Sequence, residues 1–324
     1  PWHITSESPV IKEIKVSAPL NKIGVGDLWF STWADDDSLF MSWGDGYGPV
    51  SYTYVHHGLA KANGSLPNIS MEAVNMQMPL SDDVANSKPS GLLFYQGRLY
   101  VSIHSPLIYP AFGFIAYSDD YGRNFQYDTP SSPWTQGNNS KFICLMFINM
   151  GKDYQLNTDG YVYAFGIGSE CFWNGSVYLA RVPKDRIIEY GAWTYFVALD
   201  KEGSPTWSTR QSDARPLSNL ESTWQLSSMY HSGTGRYIIM TGNQTYGKFY
   251  DAPNPWGPWT LVSYWYNPVM NSDAYSLCYM PGLITKDAGK DYFYFTAAGM
   301  DWDNTPFPHP KYTLTLARID MILR

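Results

Sequence analysis

The sequence predicts an all-β protein, specifically a five-bladed β-propeller with four-stranded antiparallel blades. Aromatic residues make up 17% of the 324 residues and charged residues only 16%. Tyr, Trp and Phe favour strands, whereas long surface helices need more charge. The second observation is a weak internal repeat of short apolar strands, which is typical of propellers.

The repeat consists of a short aromatic or aliphatic strand that is preceded each time by another apolar strand. Its copies begin at Leu39, Leu99, Tyr161, Tyr237 and Tyr292, which are 60, 62, 76 and 55 residues apart. A unit of ~60 residues suits a four-stranded blade with long loops. We therefore predict one domain over residues 1–324, with blades at 20–62, 88–130, 140–200, 205–263 and 267–320. The stretch 63–90 is interpreted as a long polar connection.

Charge and composition narrow the classes of function. The net charge is −7 and no run of Lys or Arg occurs, so nucleic-acid binding is not expected. No apolar stretch reaches 18 residues, so no membrane association is expected. We expect a monomer. Secretion is expected because five Asn-x-Ser/Thr sequons occur, at Asn63, Asn68, Asn138, Asn174 and Asn243. The three cysteines allow either one disulfide and one thiol or three thiols.

Two aspartates flank the first strand pair. Leu28–Trp33 and Ser38–Trp43 are apolar runs around the polar turn Ala34-Asp35-Asp36-Asp37, which predicts a hairpin. With the turn centred on Asp36, Asp27 lies opposite Asp45, with Cβ atoms ~4.5–5.5 Å apart. Carboxylates that close disfavour joint ionisation, so one pKa should rise. A neutral carboxylic acid beside a carboxylate is the equipment of glycoside hydrolysis.

Propeller geometry predicts a ring of polar residues at one mouth of the central channel, because the inner strand of each blade starts there and the next strand ends there. The residues after the second strands are Asp45, His104, Glu170, Asn243 and Asp301, and those before the inner strands are Asp27, Lys88, Lys141, Gln225 and Asp273. A polar ring on an aromatic scaffold suits a sugar chain. The predicted substrate-binding residues are Trp29, Lys88, His104, Tyr230, Asn243, Asp301 and Trp302. Glu170 is the third catalytic candidate, as an alternative acid or a modulator of the pair.

Two acidic motifs are interpreted as turns. Asp35, Asp36 and Asp37 fit a hairpin turn, with calcium binding as the alternative. Ser118–Phe125 matches the Asp-box pattern of sialidase-like propellers, whose hairpin turns lie away from the substrate.

Four longer segments resemble a known family: DLWFSTWADDDSLFMSWGDG, GKDYQLNTDGYVYAFG, SVYLARVPKDRI and YDAPNPWGPWTLV. They are similar to glycoside hydrolase family 183, formerly a domain of unknown function, and the resemblance runs from about Gly26 to Arg318. It implies a five-bladed propeller and an endo-acting D-arabinan hydrolase whose aspartate pair maps onto Asp27 and Asp45. The chain departs from the family pattern at Phe30, where Pro is expected, and at Thr158, where Arg is expected.

Three functions follow as hypotheses. The first is a hydrolase of an arabinofuranan-type polysaccharide, and a carboxyl separation of ~5 Å favours a retaining over an inverting mechanism. The second is a polysaccharide lyase with His104, Tyr230 or His231 as base. The third is a glycan-binding propeller without catalysis. No cofactor is required by the sequence, and calcium is expected only as a structural ion in the channel.

Overall fold

The computed structural model describes residues 7–50, 52–106, 110–168, 174–243, 246–266, 278–298 and 312–324. Within them the regular structure is almost entirely β-strand. In these described ranges, helix is limited to single 3₁₀ turns at Gln136–Asn138, Lys152–Tyr154, Tyr190–Ala192 and Gln211–Asp213. None of the helices in these residues is long and apolar enough to cross a membrane.

The strands form antiparallel blades, each named here by its inner strand. The β3 blade contains β3 (Ser31–Trp33), β4 (Leu39–Gly48), β5 (Val55–Ser65) and β6 (Asn68–Asn75). The β7 blade contains β7 (Lys88–Tyr95), β8 (Arg98–Ser105), β9 (Phe112–Ser118) and β10 (Gln126–Tyr127). The β11 blade contains β11 (Cys144–Asn149), β12 (Tyr161–Ile167), β14 (Tyr178–Pro183), β15 (Thr194–Leu199) and β16 (Pro205–Ser208), and β13 (Asn174–Ser176) pairs with β17 (Glu221–Thr223) beside it.

The remaining strands complete the toroid. The β18 blade contains β18 (Leu226–His231), β19 (Arg236–Gly242), β20 (Gly247–Ala252) and β21 (Thr260–Trp265). The β22 blade contains β22 (Tyr279–Ile284), β23 (Tyr292–Ala298) and β24 (Thr313–Leu323). The inner strands contact one another in the closed order β3, β7, β11, β18, β22 and β3 again. The predicted all-β propeller is thereby confirmed.

Two N-terminal strands join the last blade to the first. β1 (Ile11–Val16) pairs with the end of β24, and β2 (Asn21–Asp27) pairs with the start of β24 on one side and with β4 on the other. The sequence IKEIKV forms β1, which lies before the first predicted blade and was not predicted as a strand.

The predicted polar connection over 63–90 is wrong in its first part, because Asn68–Asn75 is strand β6. Ile69, Met71 and Ala73 alternate with more exposed residues and pack against the hydrophobic core of the blade. Here the period-2 alternation outweighs the polar composition, which is what a strand with one buried face requires.

The core lies between the blades and is largely aromatic. Trp29 and Trp43 stack with ring centroids 6.0 Å apart, and both are fully buried. Trp43 fits only because glycine stands opposite it: a Cβ on Gly58 would lie 2.1 Å from its Cζ2 atom. This packing fixes the backbone that leads from β2 into β3, where the candidate site lies.

Candidate active site

The hairpin forms as predicted, but its register changes before Asp27. Ser31 pairs with Met41 and Trp33 with Leu39 around the turn at Ala34–Asp37. Towards the site, Leu28 adopts a positive φ of 54° and Asp27 pairs with Gly44. The prediction that Asp27 stands directly opposite Asp45 is therefore wrong by one residue. β2 and β3 both pair with β4, and the irregular backbone at Leu28, between them, accompanies the change of register.

Asp27 is buried beneath the mouth of the channel, with 3% of its surface exposed. Tyr312 and Tyr279 donate hydrogen bonds to its carboxylate. Burial and then the negative charge of Asp45 raise the pKa of Asp27 to about 6, against the opposing effects of both tyrosines and Lys88. Asp27 and Asp45 are thus close enough to interact electrostatically although they do not pair in the ladder.

Asp45 is more accessible, with 32% of its side chain exposed. Three donors converge on its Oδ1 atom: Lys88 Nζ at 2.5 Å, His56 Nδ1 at 2.9 Å and Tyr54 Oη at 3.2 Å. In the described part of the chain, the hydrogen bonds found for this carboxylate all go to Oδ1. Asp45 also has a positive φ of 42°, a backbone conformation that is costly for a non-glycine residue and concentrates at functional sites.

The cation beside Asp45 is itself buried. Lys88 is 6% exposed and also donates to Asn86 Oδ1 and to the carbonyl oxygen of His56. It pairs in the ladder with His104, whose Nδ1 lies 2.9 Å from Ser90 Oγ. Burial and then the charge of Lys88 lower the pKa of His104 to about 3.

A second histidine lies in the same layer. Burial, then Lys88 and then His104 lower the pKa of His57 well below its usual range. Lys88 therefore stands beside two imidazoles that are held neutral, those of His57 and His104, and the carboxylate of Asp45 balances its charge. His104, predicted to bind substrate, is 1% exposed and acts in this structure as part of the layer beneath the site.

A groove of about 310 Å³ is lined by Tyr54 and His56, the two residues that contact Asp45 Oδ1 from β5 and its approach. Its walls include Tyr54 and His56 from β5 and its approach, and Gln77, Met78 and Asp83 from the segment between β6 and β7. Aromatic and amide side chains with nearby carboxylates are typical of sugar-binding surfaces.

Two other residues predicted to bind substrate lie away from this groove. Trp29 is fully buried, stacks on Trp43 and donates its indole N–H to the Gly26 carbonyl, so it cannot serve as a sugar platform. Tyr230 lies near the far end of β18 and pairs with Tyr237, whereas the mouth faces the Leu226 end of that strand. Both predictions are corrected. Each residue was selected because it is aromatic, without regard to its burial or to the end of the strand at which it lies.

The remaining predicted residues are divided between a turn and the undescribed segments. Asn243 follows β19 and accepts a hydrogen bond from the Tyr246 backbone, which closes the turn to β20. Glu170, Asp301 and Trp302 lie outside the described residues.

Several members of the site were missed from sequence: Tyr54, His56, Asn86, Tyr279 and Tyr312. The prediction considered only the first two strands of each blade, whereas Tyr54 and His56 belong to the third strand and its approach. The dipeptide His56-His57 directly before the predicted strand at Gly58 was the available signal.

The acidic turn residues form ion pairs. Lys61 binds Asp36 at 2.6 Å and Lys286 binds Asp37 at 2.9 Å. In the described ranges no cluster of three or more His, Cys, Asp or Glu residues could hold a metal ion. The predicted turn at Ser118–Phe125 forms as expected, with Asp120 accepting from the Asn124 backbone and side chain.

Of the two possibilities for the cysteines, the structure has the one that includes a disulfide. Cys144 is disulfide-bonded, whereas Cys278 is a buried free cysteine.

Fold and site together define the class: a β-propeller with a buried acidic site at the mouth of its channel. The family model described as "Domain of unknown function (DUF4185)" matches residues 80–312, and the chain belongs to that family. The match begins after Asp27 and Asp45. Comparison with curated proteins gives no match.

Solved structures with the same fold include enzymes that are described as glycosidases or that hold oligosaccharides. The GH43_1 enzyme from Xanthomonas citri, complexed with xylotriose, is 13% identical with a TM-score of 0.56, over 93% of this chain and 89% of that chain. The α-L-arabinofuranosidase from Podospora anserina, in complex with cellotriose, is 10% identical with a TM-score of 0.54, over 96% and 97%. A GH43 β-xylosidase/α-arabinofuranosidase from a compost microbial metagenome is 11% identical with a TM-score of 0.53, over 96% and 98%. At these identities the likeness concerns the fold.

Proposed function

We propose that this protein is a glycoside hydrolase that cleaves a polysaccharide, with an arabinofuranan-type chain such as D-arabinan as substrate. The observation that carries the proposal is the asymmetric carboxyl pair at the channel mouth. Asp27 is buried with its pKa raised to about 6, and Asp45 is ion-paired, partly exposed and beside a groove. The described activities of the propellers with the same fold support the reaction class, and the resemblance to family 183 is the ground for proposing the substrate.

The accessible member of the pair is the one that touches substrate in this mechanism. Asp45 presents Oδ2 while Lys88, His56 and Tyr54 hold Oδ1, so Oδ2 is the atom that acts as base or nucleophile. Asp27 acts from beneath: near pH 6 it is partly protonated, and its charge state sets the negative potential at Asp45. Glu170 keeps its sequence-based role as candidate for the acid that protonates the leaving group.

The register also bears on the stereochemistry of the reaction. Directly opposed aspartates would place their carboxyls ~5 Å apart, which is the separation typical of a retaining mechanism. Asp27 pairs with Gly44 instead, so that support is lost and the first-formed product anomer, measured by NMR, decides between retention and inversion.

The test is a product screen against D-arabinan and other plant, fungal and bacterial glycans. Asp45→Asn should reduce turnover by orders of magnitude with the circular dichroism spectrum unchanged. Asp200→Asn is the matched control, because Asp200 caps an exposed turn through one carboxyl oxygen that asparagine retains. No product from any glycan, or equal rates for Asp45→Asn and wild type, contradicts the proposal; binding without cleavage in both would favour a glycan-binding propeller.

The lyase alternative loses its base candidates. His104 is buried and neutral beside Lys88. Tyr230 and His231 end β18 far from the mouth, where His231 contacts Thr234 and the Tyr292 carbonyl. An unsaturated product that absorbs in the ultraviolet during digestion would restore this alternative.

A further inference from the structure

His56 connects the site to an exposed carboxylate. Its Nδ1 lies 2.9 Å from Asp45 Oδ1 and its Nε2 lies 3.0 Å from Asp83 Oδ1. Ionised carboxylates only accept hydrogen bonds, and a neutral imidazole has a single N–H. Both contacts are hydrogen bonds only when both ring nitrogens carry hydrogen, which is the imidazolium form.

We propose that His56, as an imidazolium held by Asp83, is a positioning residue that fixes the orientation of the Asp45 carboxylate. The inference rests on the proposed function and adds a positioning residue to it. His56 reaches Asp45 from the neighbouring strand β5, whereas Lys88 reaches it from β7. The contacts of Lys88, His56 and Tyr54 all go to Oδ1, which leaves Oδ2 as the oxygen for substrate.

The groups that face His56 come from every element around it. Asp45 on β4 and Asp83 on the segment before β7 contribute negative charge, and Lys88 on β7 contacts the backbone carbonyl of His56 rather than its ring. Tyr54 packs edge-on against the imidazole with centroids 5.4 Å apart. A ring with a single hydrogen can donate to only one of these two carboxylates.

The decisive measurement needs no substrate. Nitrogen-15 NMR of the histidine rings reports which ring nitrogens of His56 carry hydrogen, and loss of its signals in His56→Asn assigns them. Asp83→Asn should shift the Nε2 resonance, because the contact of Nε2 with the Asp83 carboxylate is lost. Asp82→Asn removes an equal charge from the same loop and keeps the oxygen that caps Val84 and Ala85, so it should leave the Nε2 resonance nearly unchanged. Equal shifts in the two variants, or a wild-type ring with hydrogen on only one nitrogen, overturn the proposal.

Kinetics test the positioning role. His56→Ala should lower kcat at least tenfold with KM nearly unchanged, because orientation is lost while the groove remains. His56→Asn carries a donor near the Nδ1 position, so it should recover part of the kcat that His56→Ala loses. Equal kcat values for His56→Asn and His56→Ala refute the role. If no glycan is cleaved, the proposed hydrolase fails while the NMR result still decides the state of His56.

Discussion

Replacing Asp27 by asparagine should stabilise the folded protein at neutral pH. The pKa of Asp27 is raised from 3.8 to about 6, so the folded state retains a proton that the unfolded state has already released between these values. The unfolded state therefore binds fewer protons in this window, and the free energy of unfolding decreases as pH rises through it. The full difference of about two units corresponds to about 3 kcal/mol of stability that wild type has lost above pH 6.

Asparagine does not titrate, so its contribution to the free energy of unfolding should be constant from pH 4 to pH 8. Urea denaturation across this range should give a difference between Asp27→Asn and wild type that grows by up to about 3 kcal/mol with pH. The difference at pH 4 isolates the altered hydrogen bonds with Tyr279 and Tyr312. Asp82→Asn, at an exposed site, controls for the loss of one charge. A difference that stays constant with pH would refute the assignment of Asp27 as the buried proton-holding carboxyl.

Two further predictions concern the same region. Asp45→Asn removes the charge that, after burial, raises the pKa of Asp27. The carboxyl carbon of Asp27, followed by carbon-13 NMR, should then titrate below about pH 6. An unchanged midpoint would show that the two carboxyl groups do not interact. Gly58→Ala places a Cβ 2.1 Å from the Trp43 ring and should lower the free energy of unfolding by about 1–3 kcal/mol in urea denaturation. The control is Gly191→Ala, whose added Cβ has no atom within 4 Å and should change that free energy by no more than about 0.5 kcal/mol. Equal losses of stability in the two variants would contradict the packing described for Trp43.

The propeller was predictable because its signals are local and repeated. The alternation of apolar residues and the turn at Ala34–Asp37 depend on a few neighbouring residues, and the hairpin forms about the predicted centre. The rule that strand ends surround the channel mouth also identified Lys88, which the structure brings to Asp45.

The details of the site depend on packing that spacing does not encode. The change of register at Leu28 accompanies the insertion of Trp29 into the core, and no periodicity reveals it. Tyr279 and Tyr312 reach Asp27 across more than 250 residues of sequence. Tyr230 was chosen for its chemistry without a strand-end argument, and it lies at the wrong end of β18.

The groups around Asp27 come from both ends of the chain, since β2 carries Asp27, while Tyr279 and Tyr312 belong to the β22 blade and its surroundings. These contacts form only once β2 has joined β24 to β4. Contacts between such distant residues carry the largest loop-closure cost and tend to form late in folding. During refolding, catalytic competence should therefore be the last property to return, after the strands of the individual blades have already formed.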